Sequence, residues 1–482
     1  MTPQQQQLVD AVHNRFGPKI ATLDPHEIAP WERDWRGRYQ GHAPALLSPS
    51  STEEVAAIVR LAVDLGVPLV PQGGNTGMVA GATPPADGSA LLVSLRRLNR
   101  IRTLSAESNL AVVEAGVILA NLHAAAGEAR RRFPLTLGAK GSATIGGLVS
   151  TNAGGTQVLR FGNMRSLVAG VEAVLPDGSV HDGLSPLKKD NRGYDLNQLM
   201  IGAEGTLGIV TAATLRLYPA IAERAAAWVG VESPQRALEL LRMMEARTDT
   251  IESFEIIPGE IVDRVIAHVP GARAPLAGAH AWQVLIESVT TDPAAESPAV
   301  LLERLLAPAF ERGLAEDAVI SASEAQVEAF WRIRDSISET ERAMGPAMQH
   351  DISVPVDAMP RFMIEAAKAV EQAFPGTHAT GFGHLGDGNV HFHVRAPEGV
   401  EREAWYAGQG AAASRLVYDL VVAAGGSISA EHGIGQMKLA ELERLGPPAR
   451  LNALRAIKTA FDPRQLFNPG KLVKLAREGS AP

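Results

Sequence analysis

The chain contains no cysteine. Disulfides, thiolate nucleophiles, cysteine-ligated zinc and iron–sulfur clusters are excluded together, so any metal must be held by His, Asp or Glu. It also lacks a basic block. With a formal net charge of -8 it is a poor partner for nucleic acid or an anionic membrane. No stretch approaches the roughly 18 apolar residues of a membrane helix, and the most apolar tracts, such as Leu416 to Ala424, are broken by Tyr418, Asp419 or glycine pairs. The first residues, MTPQQQQLVDAVHNRFG, carry neither the basic start nor the apolar run of a signal peptide. A soluble cytoplasmic protein is the expectation. What is present, 46% apolar and 20% charged residues over a length of 482, is enough for a large core and excludes disorder as the main state.

Helical spacing over Gln4 to Phe16 stops at Gly17. Ser51 or Thr52 then caps a second helix that runs to Gly66, with Glu53 and Glu54 in its first turn. From Leu91 to Pro219 the pattern is mainly strand with glycine-rich connections. Val168 to His181 reads as a hairpin around Pro176-Asp177-Gly178. After Pro219 helices alternate with strands, including one long helix over Ser323 to Ala343 and a strand that ends at Glu431-His432. The predicted class is α+β: an N-terminal arm (1–40), a nucleotide-binding domain (41–220), a second α+β domain with an antiparallel sheet (221–425) and a closing segment (426–482).

Three glycine-rich stretches fall within residues 71–155: Pro71-Gln72-Gly73-Gly74-Asn75-Thr76-Gly77, Gly138 to Gly147, and Thr151 to Gly155. Glycines let a backbone approach an anion and offer it successive N–H groups. A tight turn would explain any one of them. Three together, each edged with Ser, Thr or Asn, point to a large ligand with a pyrophosphate. Gly381-Phe382-Gly383-His384-Leu385-Gly386 matches the dinucleotide fingerprint literally but leads into Asp387-Gly388-Asn389, a turn and not a helix, so it is rejected.

Four of the 13 histidines lie in two short segments. Alternation from Val390 to Val394 makes a strand with His391 and His393 on one face, and the Asp387-Gly388-Asn389 turn folds His384 back beside His391. The second segment carries Glu431 and His432. Imidazoles with a carboxylate and an open position form a ligand set for zinc or a similar divalent ion, and a left-over histidine can act as base. Strand-end histidines bonded to backbone are the competing explanation. Arg332 or Arg334 can clamp a carboxylate, while Asp351 precedes an edge strand or turn.

The segments PQGGNTGMVAG, LGAKGSATIGGLVSTNAGG, RFGNMRSLVAGVEAVLPDG, DNRGYDLNQLMIGAEGTLGIVT, GHLGDGNVHFH, SAEHGIG and FDPRQLFNPGK together resemble the FAD-linked oxidoreductases of the vanillyl-alcohol-oxidase/p-cresol-methylhydroxylase superfamily. The likeness is greatest to the D-2-hydroxy-acid dehydrogenases, those of D-2-hydroxyglutarate and D-lactate. It implies a bipartite FAD-binding domain with a substrate (cap) domain. It further implies that Pro71 to Gly77 (Pro71, Gln72, Gly73, Gly74, Asn75, Thr76, Gly77) wraps the FAD pyrophosphate. Gly138, Ser142, Gly146, Asn152 and Gly155 would line the flavin, with Glu204, Gly205 and Ile209 near the adenine half and Asn468 closing from the tail. FAD would be non-covalent, because the first loop has no His or Cys. The family's metal set falls on His384, His391 and Glu431, its base on His432 and its substrate contacts on Arg334 and Ser338.

By this likeness a D-2-hydroxy acid, D-2-hydroxyglutarate first, is oxidised to the 2-oxo acid. Electrons then leave to an external acceptor (an electron-transfer flavoprotein, a quinone or a cytochrome), and a homodimer is expected. Two positions depart from the hydroxyglutarate pattern: Gln349 stands for a lysine and His393 for an asparagine. Loss of that cation weakens the hold on a second carboxylate by about 1.5–3 kcal/mol, which leaves D-lactate or glycolate, as in other members of the same family, or a different dicarboxylate open. A metal-dependent hydrolase would use the same His/Glu set but leave three glycine loops idle. A non-catalytic flavin binder would leave His432 without work.

Overall fold

The computed structural model describes residues 1–187 and 189–475; the end of the predicted closing segment, 476–482, lies outside the described residues. The chain divides into two compact units. The first comprises Met1–Gly155, Gly162–Pro219 and Glu431–Pro482, and the second Thr156–Phe161 and Ala220–Ala430.

In the first unit, helix Pro3–Phe16 is opened by a capping box between Thr2 and Gln5 and ends at Gly17, whose φ is 85°. It buries Leu8, Val9 and Val12 in a core shared with helix Thr52–Leu65. Ser51 caps that second helix by accepting the Glu54 N–H. A four-stranded sheet sets Leu46–Leu47, Leu91–Ser94 and Leu69–Gln72 parallel to one another. A five-stranded antiparallel sheet runs Ile101–Ser105, Leu110–Glu114, Ile209–Arg216, Val168–Val174, Val180–Asp182, and includes the predicted hairpin.

Among the helices not anticipated here are Leu119–Glu128 and Ile145–Thr151. Neither has a side-chain cap, so the usual start signal is missing. The second also holds two glycines, poor helix formers. Gly146 is required by packing, because a Cβ there would lie 2.6 Å from that of Ala115.

The C-terminal stretch completes this unit. Leu69 donates its N–H to Leu466 O, and Asn468 returns its own to Leu69 O. Lys458 is buried with its ammonium bonded to Asp462, Thr206 O and Phe467 O. Lys471 is 1% exposed, and burial pulls its pKa down from 10.5 to about 8. The folded protein therefore holds this proton less tightly than the unfolded chain. Stability should rise through Lys471 as pH climbs from about 8 toward 10.5. Lys471→Met should remove that rise, which urea midpoints on either side of the window will show.

The second unit is a seven-stranded antiparallel sheet in the order Asp317–Ile320, Glu223–Val231, Trp282–Thr290, Ile251–Pro258, His378–His384, Asn389–Arg395, Ala347–Ser353. Helices Pro234–Glu245, Pro298–Glu311, Met359–Ala373 and Gln409–Ala423 share the larger apolar core, with Leu302, Phe362 and Val417 among its buried members. Helices Gly259–His268, Glu324–Asp335 and Ile337–Ala343 share the second core, which contains Trp228 and Phe382.

Three expectations are corrected in this unit. The long helix over Ser323 to Ala343 is two helices, parted at Ser336. Asp351 lies inside the edge strand rather than before it. The stretch from Ser427 is no strand, since its ladder is one bridge, Ser427 with Ser353. The Ser427 hydroxyl bonds to Ser429 O and accepts the Ser429 N–H, giving the backbone a local alternative to pairing.

Candidate active site

Register explains how the second unit gathers its polar groups. His384 pairs with Glu255 on one side and with Asn389 on the other. Phe382 pairs with His391, Asp351 with His391, and Gln349 with His393. A strand sends alternate side chains to one face, so His384, His391, His393, Arg395, Gln349, Asp351 and Glu255 share one side of the sheet. The predicted turn does bring His384 beside His391, with ring centroids 5.3 Å apart and planes at 79°. Their ring nitrogens come within 4.8 Å of each other, close enough to share one ion.

The residue that organises this face is Glu255, which the sequence reading missed. It is fully buried. One oxygen accepts from His384 Nδ1 at 2.5 Å, and the other from Arg334 Nε at 2.6 Å. Burial alone would raise its pKa, but Arg334 and His384 outweigh that and hold it down at about 2. For His384 burial acts downward and Glu255 overrides it, lifting the imidazole to about 9. Arg334 is buried on the last turn of its helix, and its guanidinium carbon lies 5.6 Å from the centre of the Phe382 ring. Ser338, in contrast, is exposed. The available signal for Glu255 was a carboxylate inside the apolar strand Ile251–Pro258, a placement that burial penalises unless cations meet it.

Along the same face Glu341 takes Arg395 Nη2 at 2.5 Å and Arg264 Nη1 at 3.2 Å. His393 Nδ1 stands 3.5 Å from it. Burial works to raise Glu341, yet His393 and Arg395 keep it at about 2. Both arginines are thus committed to a buried carboxylate. Gln349, opposite His393, is half-buried and neutral. Ala430, the last residue of this unit, donates its N–H to Asp351 O at 3.4 Å. Glu431 and His432 follow it directly in the chain.

In the first unit the predicted loops converge. Pro71 and Gln72 end a strand, and Gly73 and Gly74 lie against the Ser142–Thr144 segment. A Cβ on Gly74 would stand 2.0 Å from Ser142 O, and one on Gly73 2.2 Å from Thr144 Oγ1. Asn75 donates its side-chain amide to Arg33 O. Gly77 and Gly138 face open space, with no atom within 4 Å of a built Cβ. Gly155 abuts Thr136 O, and Gly205 abuts Pro71.

Asn152 ends its helix in a left-handed conformation and accepts the Arg165 N–H. Ile209 is buried in its strand. The Glu204 carboxylate accepts the N–H groups of Ile434 and Gly435 at 2.8 and 2.7 Å. Asn468 donates to Gly81 O and Glu204 O.

A dinucleotide fits this cradle. Gln72 Oε1, Thr144 Oγ1 and Asn468 Oδ1 are buried polar atoms without a hydrogen-bond partner. A cavity of about 310 Å³ opens among Arg96, Asn121, Gly141 and Ser142. Arg96, also missed, approaches Gly73 O and Gly74 O at 3.4 and 3.3 Å and lies over the Trp31 ring at 4.3 Å. It follows a parallel strand, and ligands of such sheets sit at strand carboxyl ends.

The family of FAD-linked oxidases, C-terminal domain, matches residues 221–472, and an FAD binding domain matches residues 43–183. The chain belongs to the FAD-linked oxidases. As an FAD-linked oxidase it is an FAD-dependent oxidoreductase. It is 36% identical to the D-2-hydroxyglutarate dehydrogenase of Xanthomonas citri pv. viticola over 93% of each chain. It is 35% identical to the mitochondrial enzyme of that name from Bos taurus, over 96% of this chain and 83% of the other. A putative mitochondrial D-lactate dehydrogenase of Schizosaccharomyces pombe is 30% identical over 98% and 90%. Among solved structures, p-cresol methylhydroxylase with substrate bound superposes with a TM-score of 0.76 at 15% identity, over 98% and 97% of the two chains. That likeness shows the fold, in agreement with the expected bipartite FAD-binding type. Among the described residues no helix is long and apolar enough to cross a membrane.

Proposed function

We propose that this FAD-linked oxidase oxidises a D-2-hydroxy acid to the 2-oxo acid, with D-2-hydroxyglutarate as the first candidate. The observation that carries the reading is the Glu255 bridge, which holds a metal-type imidazole and a carboxylate-binding arginine on one buried carboxylate. Relatives named D-2-hydroxyglutarate dehydrogenase support the substrate. Arg334 offers its outer guanidinium nitrogens to the substrate carboxylate, with Ser338, four residues on in the next helix, as the second contact. His432 takes the hydroxyl proton. His384, His391 and Glu431 are the ligand set for a divalent ion, zinc foremost; two imidazoles and a carboxylate suit it, and such an ion would acidify a bound hydroxyl. FAD, when bound, accepts the two electrons. They pass on to an external acceptor, an electron-transfer flavoprotein, a quinone or a cytochrome, because a chain without cysteine carries no cysteine-ligated cluster.

D-Lactate is the second reading. Gln349 brings no charge, and Arg264 and Arg395 are already engaged by Glu341. A panel of D- and L-2-hydroxy acids with an artificial acceptor, before and after chelator treatment, tests both. Flavin-dependent oxidation of D-acids, abolished by the chelator and restored by zinc, is expected. The ratio of kcat/KM for D-2-hydroxyglutarate and D-lactate ranks the substrates. Turnover of esters without flavin reduction would sink the proposal.

A further inference from the structure

Glu255 serves two groups with different tasks, and this inference rests on the function proposed above. The carboxylate accepts the His384 Nδ1–H, which leaves Nε2 as the nitrogen that a cation would take on displacing the proton there, as in a metal-bound imidazole. The same carboxylate grips Arg334 through Nε. The guanidinium plane is thereby set, and its two outer nitrogens stay available to a carboxylate in bidentate fashion. The site has no slack for a substitute, since the Glu255 side chain is wholly enclosed and that of Arg334 is 9% exposed. One negative charge is therefore divided between a guanidinium and an imidazole. What one partner draws is withheld from the other.

We propose that Glu255 is a positioning residue that couples the affinity of the His384 site for a divalent cation to the state of the substrate-carboxylate clamp at Arg334. Such coupling is reciprocal by thermodynamic necessity. A substrate carboxylate that neutralises Arg334 frees Glu255 to polarise His384, which tightens the cation. A cation bound at His384 draws on Glu255 and leaves Arg334 more electropositive toward an incoming acid.

The test uses FAD-loaded full-length protein stripped of metal, with zinc affinity measured by competition against a chromophoric chelator and with substrate absent. Glu255→Gln should weaken zinc binding by about 10–100-fold, because the imidazole keeps only a neutral acceptor and faces an uncompensated guanidinium. It should also raise the KM for the hydroxy acid. Arg334→Met should do the opposite to zinc and tighten it severalfold, although Arg334 is no ligand. The double variant should recover part of the loss in Glu255→Gln. A merely structural role predicts that both single variants weaken zinc in step with their loss of thermal stability. Zinc affinity unchanged or weakened in Arg334→Met overturns the proposal, and that variant decides the matter even if Glu255→Gln does not fold. If wild-type protein binds zinc and oxidises hydroxy acids while all four proteins bind zinc alike, only the coupling fails. If wild-type protein takes up no divalent ion, the proposed ligand set fails as well.

Discussion

Replacing His432 by alanine should lower the rate of flavin reduction by D-2-hydroxy acid about 10²–10⁴-fold, the usual worth of a positioned general base, or about 3–5.5 kcal/mol of barrier. His432 is half-buried and lies two residues before Ile434, whose N–H is held with that of Gly435 by the buried Glu204 carboxylate. A side chain on so fixed a backbone keeps its aim without paying for order at each turnover. The substitution removes a ring from a partly open position, so fold and bound flavin should persist. Stopped-flow bleaching of the oxidised flavin, beside its absorbance spectrum at rest, separates the two effects. A variant that keeps its flavin and reduces it at the wild-type rate would remove His432 from the chemistry. Raising the pH should not rescue His432→Ala, whereas added imidazole should do so in part.

Gly74→Ala carries the second large effect. The new methyl would stand 2.0 Å from the carbonyl oxygen of Ser142, a distance no carbon tolerates, and that partner is backbone and cannot rotate away. The Gly73–Gly77 turn must part from the Ser142–Thr144 segment, and Arg96, which approaches Gly73 O and Gly74 O, must follow. Purified Gly74→Ala is expected to be colourless or insoluble, with FAD affinity reduced at least about 100-fold, or 2.7 kcal/mol. Gly138→Ala is the informative companion. Nothing lies within 4 Å of its Cβ, so it should fold normally and lose affinity only through contact with FAD itself. The flavin-to-protein ratio after gel filtration reads both. Stoichiometric FAD in Gly74→Ala would show that the turn is not the cradle.

Where local chemistry and tertiary demand agreed, sequence was sufficient. Helix Thr52–Leu65 announced itself by Ser51 and Gly66, and the Val390–Val394 alternation correctly put His391 and His393 on one face. Failure came where packing overrode propensity. Ile145–Thr151 is helical despite its two glycines, because the close approach to Ala115 admits nothing larger than Gly146. It came also where a role depends on partners distant in sequence. Glu255 reaches Arg334 and His384 from 79 and 129 positions away, and no spacing rule encodes that. Arg96 went unnoticed because one of two adjacent arginines, Arg96 and Arg97, reads as solvated charge. The glycine loops and the histidine strand were legible because their chemistry is written in consecutive residues.

The pairing of Leu69 with the 466–468 stretch bears on how a nascent chain acquires this shape. The parallel bridge joins Leu69 to Phe467, and Lys458 ties the same region to Thr206 O. The amino-terminal half therefore leaves the ribosome with an open seam that nearly four hundred later residues must be made to close. The 220–430 portion, almost continuous in sequence, can mature first. Vectorial synthesis, which ordinarily favours the earlier domain, here completes the later one before the flavin-binding half.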